Sequence, residues 1–159
     1  MKEVKIDKSE LKTKVMRCYE GLKKRIEDSI KSSTREAIDS PGANVSHSDT
    51  NKFNISNVAL SKQKPVIAYI IALTELRSLS VDVCETVIIG AVFQLQNLQT
   101  EESKFYYLIP SYGGEVIKHA EVEILTISKE APLATLAAGK EEGDEFRFKD
   151  QQYEIKRVW

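Results

Sequence analysis

Cysteine and histidine are scarce in this chain of 159 residues, and their absence removes several classes of function at once. Cys18 and Cys84 lie far apart and form no metal-ligand spacing, so they read as reduced thiols packed as small apolar groups. His47 and His119 are isolated, and a zinc site has no ligand set. Long hydrophobic runs are missing too: none reaches the roughly 18 residues of a membrane span. The opening Met-Lys-Glu-Val-Lys-Ile-Asp contains no apolar core of a secretory signal, so a cytoplasmic location and no membrane partner are expected. Charge of one sign is also lacking. Lys and Arg total 23 and Asp and Glu 24, a net charge of −1, which excludes a global electrostatic pull toward nucleic acid. No internal repeat or low-complexity tract occurs. The 30% of charged and 42% of apolar residues suit a globular protein carrying a long solvated helix.

The first half carries helical periodicity. Leu11, Val15, Cys18, Leu22, Ile26 and Ile30 recur every three or four residues, so a helix is expected from Ser9 to about Ile38. About thirty residues at 1.5 Å rise extend roughly 45 Å. Such a helix needs a partner for its stripe. Val66, Ile70, Leu73, Leu76 and Leu79 supply one, in a helix that starts near Ser61 with Pro65 in its first turn or near Ser56 with a kink at Pro65. The Ser-, Asn-, Asp- and Pro-rich stretch between them reads as a tip loop over 39–57. A helical hairpin over 1–80 follows, joined through 80–85 to a second unit over 84–159.

In that second unit the period changes to two. Strands are expected at Thr86–Leu95, Lys104–Ile109, Val122–Ile127, Glu145–Phe148 and Tyr153–Val158, with Ser111–Glu115 a loop. Between them runs Ile127-Ser-Lys-Glu-Ala-Pro-Leu-Ala-Thr-Leu-Ala-Ala-Gly-Lys-Glu-Glu-Gly-Asp144. Ser128 can cap a short helix, and Pro132 fits its first turn. Leu133, Leu136 and Ala137 share one face, and Gly139 suits the left-handed residue that ends a helix. Gly143-Asp144 is a turn signal. The fold class is therefore α+β: an antiparallel helical hairpin followed by a small β-sheet with one short helix.

The run from Ser128 to Ile155 resembles the C-terminal domain of the Gre transcript-cleavage and elongation factors (GreA/GreB-like). That family carries a Ser-Pro-hydrophobic start, a helix of small residues, a Gly-Lys-x-x-Gly-Asp turn and a closing Tyr-Glu-Ile strand. Ser128, Pro132, Leu133, Ala137, Gly139, Lys140, Gly143, Asp144, Tyr153, Glu154 and Ile155 stand at the matching places. Val87–Leu95, with Gly90-Ala91 at its middle, is similar to the domain's opening strand. The resemblance is carried by 86–159 and implies an FKBP-like C-terminal fold. It also implies a core RNA polymerase partner, docked through Ser128, Pro132, Leu133, Gly139, Lys140, Gly143 and Asp144, with the hairpin in the secondary channel.

In Gre factors, acidic residues at the hairpin tip help hold a Mg²⁺ ion of the polymerase, which itself cuts the transcript. The resemblance implies no cofactor of the chain's own, no small-molecule substrate and no free-standing enzyme. The family's tip places two carboxylates three residues apart. Here Asp39 is followed three residues later by Gly42, and Asp49 is the other candidate tip carboxylate and Mg²⁺ ligand. Polymerase binding is thus better supported than cleavage, and a non-cleaving Gre-like regulator is the alternative within the family. Lys24, Lys31 and Arg35 share a helical face and are candidates for contact with the RNA 3′ end. The favoured reading of the residues themselves is a solvated face balanced by Glu10, Glu20, Glu27 and Asp28. Phe105, Tyr106, Tyr107, Phe146, Phe148, Tyr153 and Trp159 leave open an aromatic-lined FKBP-like isomerase or interaction module, and a plain coiled-coil protein is a further alternative.

Overall fold

The computed structural model describes the backbone of residues 4–39 and 48–159, and their side chains apart from those of 36–39, 48–56, 58–60 and 62. Two long helices come first, α1 (Lys8–Asp39) and α2 (Ser48–Ser78). Asp7 starts α1, its Oδ1 accepting the Glu10 N–H at 3.0 Å. The helices run antiparallel. Lys12 Nζ donates to the carbonyls of Arg77 and Leu79 at 2.9 and 2.7 Å, satisfying the C-terminal end of α2. Nearer the tip, the Tyr19 ring meets Tyr69 edge-on at 5.4 Å.

Two expectations for α2 change. The stretch from Ser48 to 57 is helical despite its polar composition, so the loop expected over 39–57 is shorter. Pro65 lies in the interior of α2, not in its first turn. Ile70, expected in the buried stripe, is 47% exposed, while Tyr69, Ala72, Leu73 and Leu76 are buried. Apolar residues surround this part of α2 on every side, so spacing alone does not select the inner face.

The second half forms one mixed six-stranded sheet: β1 (Val92–Asn97), β2 (Ser103–Ile109), β3 (Val116–His119), β4 (Val122–Ser128), β5 (Glu145–Phe148) and β6 (Gln151–Val158). The spatial order is β3-β4-β2-β1-β6-β5, with β2 and β4 parallel and the other neighbours antiparallel. The first strand begins at Val92, not Thr86, which makes only an isolated bridge to Glu141. The β3 strand was not expected from the sequence. Between β1 and β6 the register shifts at Gln94/Leu95, where Arg157 and Ile155 are the partners and Lys156 is the extra residue of a bulge.

The sheet has a core on each face. On one side Val92, Tyr107, Ile109, Ile117 and Ile124 receive Leu11, Val15, Tyr19, Tyr69, Leu73 and Leu76 from the base of the helical hairpin. On the other, Phe93, Leu95, Tyr106, Leu108, Ile127 and Ile155 pack against Ala134 and Ala137 of the short helix α3 (Pro132–Ala137). The helical and sheet parts thus share an apolar core. Ala131, not Ser128, precedes α3, without a side-chain cap, because Ser128 is still the last residue of β4. Leu136, expected on the inner face of α3, is 41% exposed, because the small Ala134 and Ala137 make the close approach to the sheet.

Candidate functional site

The Gly139–Asp144 segment is a hydrogen-bonded turn tied to both neighbours. Gly139 N–H donates to Val87 O and Val87 N–H to Lys140 O, each at 2.8 Å. Gly139 and Gly143 take φ of +77° and +91°, a region that favours glycine. The Asp144 carboxylate accepts the Glu141 N–H at 2.9 Å, closing the turn, and Ile155 N–H donates to Asp144 O at 2.9 Å. Lys140 Nζ lies over the Phe146 ring at 5.9 Å. Gly139, Gly143 and Asp144 therefore have a structural task whatever else they contact. Pro132, Leu136, Gly139, Gly143 and Asp144 are solvent-exposed, whereas Ser128, Leu133 and Lys140 are half-buried.

A second cluster fixes the helical hairpin to the sheet. Tyr19, fully buried, donates its hydroxyl to Tyr112 O at 2.6 Å and lies 3.3 Å from Thr126 Oγ1. Burial pushes this hydroxyl up to about 12. Thr126 Oγ1 accepts the N–H groups of Gly114 and Glu115 at 3.2 and 2.9 Å. Tyr69 meets Tyr112 edge-on at 4.6 Å, and Ser111 Oγ donates to the Glu75 carboxylate. The loop over 111–115 is thus used internally, as a clamp between α1, α2 and β4. Tyr19 escaped the sequence stripe because Cys18 occupies the heptad-like position beside it.

Lys24 and Lys31 lie together in a shallow groove between α1 and α2, of about 430 Å³. Glu20, Lys23, Glu27, Asp28, Leu73 and Arg77 also line it. Lys23 pairs with Glu27 at 3.2 Å, so the groove is of mixed charge. Arg35 is exposed further along α1. The tip candidates fall outside the described side chains: α1 ends at Asp39 and Asp49 lies in the first turn of α2. Among the described residues no group of three His, Cys, Asp or Glu could hold a metal ion. No described helix is long and apolar enough to cross a membrane.

The aromatic residues divide between the two cores. Tyr107 faces the helical hairpin, while Tyr106 and Phe146 face α3. Phe93 stacks on Tyr106 at 5.3 Å and Phe146 on Tyr153 at 6.0 Å. They do not converge on one pocket. An open cleft of about 550 Å³ beside Phe105 and Tyr106 is shared with Glu102, Ser103, Lys104, Val116, Val122, Glu123 and Leu125.

No protein-family model and no curated protein matches the sequence. Solved structures similar to this chain include GreA factor homolog 1 (Gfh1) of Thermus thermophilus, at 11% identity and TM-score 0.40, covering 91% of this chain and 94% of that one. Gfh1 of Thermus aquaticus matches at 14% identity and TM-score 0.38, covering 89% and 92%. The transcription elongation factor GreA/GreB of Nitrosomonas europaea matches at 20% identity and TM-score 0.36, covering 57% of this chain and 78% of that one.

Proposed function

We propose that this chain is a Gre-like modulator of transcription elongation that binds core RNA polymerase and reaches into its secondary channel with the helical hairpin. The observation that carries the reading is the Gly139–Asp144 turn. Gly139, Lys140, Gly143, Asp144 and Ile155, all among the residues quoted for the sequence resemblance, form one hydrogen-bonded unit following α3, on a sheet that holds a long antiparallel hairpin by its base. A hairpin of 32- and 31-residue helices reaches about 45 Å at 1.5 Å per residue. The clamp at Tyr19 and Tyr112 gives that reach a fixed direction.

The chain acts without a catalytic centre or cofactor of its own. Mg²⁺ is usually bound by one or two well-placed carboxylates together with phosphate oxygens. At this tip the position three residues after Asp39 is Gly42, and Asn44 carries no charge. The tip thus lacks the carboxylate that the family places three residues after the first, and no step passes through a metal held by the chain. What remains is occupancy: the hairpin fills a channel, and Lys24, Lys31 and Arg35 offer cationic contacts to an RNA end. A non-cleaving regulator is the form of the activity that the tip sequence favours.

The test is binding of the full chain to immobilised bacterial core RNA polymerase. A piece spanning 84–159 is unsuitable, because it exposes Tyr107, Ile109 and Ile124, which the hairpin covers. Retention of the chain, weakened by Leu136→Glu with an unchanged melting temperature, is the expected result. No retention at micromolar concentration rules the proposal out.

A further inference from the structure

Lys8 sits in the first turn of α1 and is 6% exposed. A buried ammonium is costly unless its protons find partners. Here they find the carbonyl of Asp82 and the sulfur of Cys84, the latter at 3.2 Å. Among the described residues no ion pair joins Lys8 to a carboxylate. Cys84 is only half-buried, so small solutes reach it. Tyr107, fully buried in the core under the hairpin, has a hydroxyl with no hydrogen-bond partner among the described residues. Burial pushes that hydroxyl up to about 12, and the charge of Cys84 adds to the effect. The site is an accessible sulfur held at 3.2 Å by a buried ammonium that has no carboxylate partner among the described residues. Reactive thiols occupy such electropositive, partly exposed places.

We propose that Cys84 is a peroxide-reactive thiol whose sulfenic acid is captured by the Lys8 amine as an S–N cross-link between α1 and the segment that follows α2. The step is written from the thiolate, the form in which any thiol attacks a peroxide, and the atoms balance. The Cys84 thiolate attacks one oxygen of hydrogen peroxide; the S–O bond forms and the O–O bond breaks. The departing hydroxide takes a proton from the Lys8 ammonium and leaves as water. Sulfur has lost two electrons and the peroxide has gained them. The Lys8 amine, now neutral, attacks the sulfenic sulfur. The N–S bond forms, the S–O bond breaks, and the hydroxide takes a nitrogen proton to leave as a second water. Cys18 is the internal control: burial, then the charge of Glu115, pushes its thiol up, away from the reactive form.

The experiment uses the full chain and hydrogen peroxide below one equivalent. In one sample a cyclic 1,3-diketone traps sulfenic acid, and peptide mass spectrometry locates it. In another, without the trap, linked peptides are sought. Cys84 is expected to be labelled on the order of tenfold more than Cys18. The untrapped sample is expected to yield a peptide pair joined through Lys8 and Cys84, two hydrogens lighter than its parts and separated by dithiothreitol. Both readouts use the unaltered protein. Lys8→Met is expected to slow Cys84 labelling about tenfold, and Lys8→Arg to keep labelling but abolish the link. Equal labelling of the two cysteines, no linked pair, or an unchanged rate in Lys8→Met overturns the proposal.

Discussion

The Tyr19 hydroxyl donates to the Tyr112 carbonyl at 2.6 Å across 93 residues of sequence, joining the first helix to the loop before β3. The bond is part-buried, and its loss removes the donor that the Tyr112 carbonyl has in this clamp. Tyr19→Phe keeps the ring against Tyr69 and removes only the donor. A destabilisation of about 1–2 kcal/mol is expected, read as a lower denaturant midpoint with an unchanged slope. A variant as stable as the parent shows that the clamp does not rest on this bond.

The same loop runs close to β4 at Gly113. A Cβ there would lie 2.6 Å from Ser128 N and 2.8 Å from both Ile127 Cα and Thr126 O. All three are backbone atoms and cannot swing aside. Gly113→Ala is expected to cost about 3 kcal/mol, by thermal or chemical unfolding. A loss under about half a kcal/mol means that the loop has room to retreat.

The two sides of α2 differ sharply in energetic weight. Leu73 is 4% exposed in the core under the hairpin, while Ile70 is 47% exposed. Leu73→Ala is expected to cost about 2–4 kcal/mol, the usual range for an emptied core site. Ile70→Lys is expected to change stability by less than about 0.5 kcal/mol. Similar losses in both would place Ile70 inside, as the sequence stripe had it.

His119 links the sheet to the start of α1. Its Nε2 accepts the Asp7 N–H at 3.2 Å, which requires that nitrogen to be unprotonated. Burial, then the charge of Lys14, holds the group below the ordinary 6.5, with Glu10 and Asp7 opposing. The unfolded chain therefore binds this proton at higher pH than the folded one. Stability is full above about 6.5 and falls as the pH drops toward the folded value, where the loss is complete. The Glu10 carboxyl, lowered by its hydrogen bond to Lys14, acts below 4.5, outside the range of the measurement that follows. Urea midpoints from about pH 7.5 to about pH 5 should fall for the parent and stay nearly level for His119→Gln. A level parent profile removes His119 as the cause.

The α+β fold was readable because periodicity changes near residue 80 and the Gly139–Asp144 turn carries its own geometry. What escaped the sequence has identifiable causes. The β3–β4 turn consists of Ala120 and Glu121 at φ +50° and +65°, a conformation normally announced by Asn-Gly, so β3 gave no signal. Lys149-Asp150, at +48° and +62°, makes the β5–β6 turn without a glycine either. The bulge at Lys156 reverses the alternation that would assign faces to Arg157 and Trp159. The clamp residues Tyr19, Tyr112 and Thr126, and the Lys8–Cys84 contact across 76 residues, exist only once the chain has folded. No local pattern encodes such pairs.

The last prediction concerns transcript cleavage and rests on the proposed polymerase partner. A backtracked elongation complex given this chain and Mg²⁺ is expected to show little or no shortened, restartable RNA. The reason is electrostatic: Gly42 stands three residues after Asp39, where the family has its second carboxylate, and Mg²⁺ needs well-placed carboxylates. Slower elongation without cleavage is the expected signature of a hairpin occupying the channel. Asp39→Ala should then leave elongation nearly unchanged, whereas Lys24→Glu combined with Lys31→Glu should relieve the slowing by removing cationic contacts to RNA. Strong cleavage abolished by Asp39→Ala would mean that the tip works as a metal-positioning group after all. Cleavage that survives Asp39→Ala and is lost in Asp49→Ala would transfer that role to the first turn of α2.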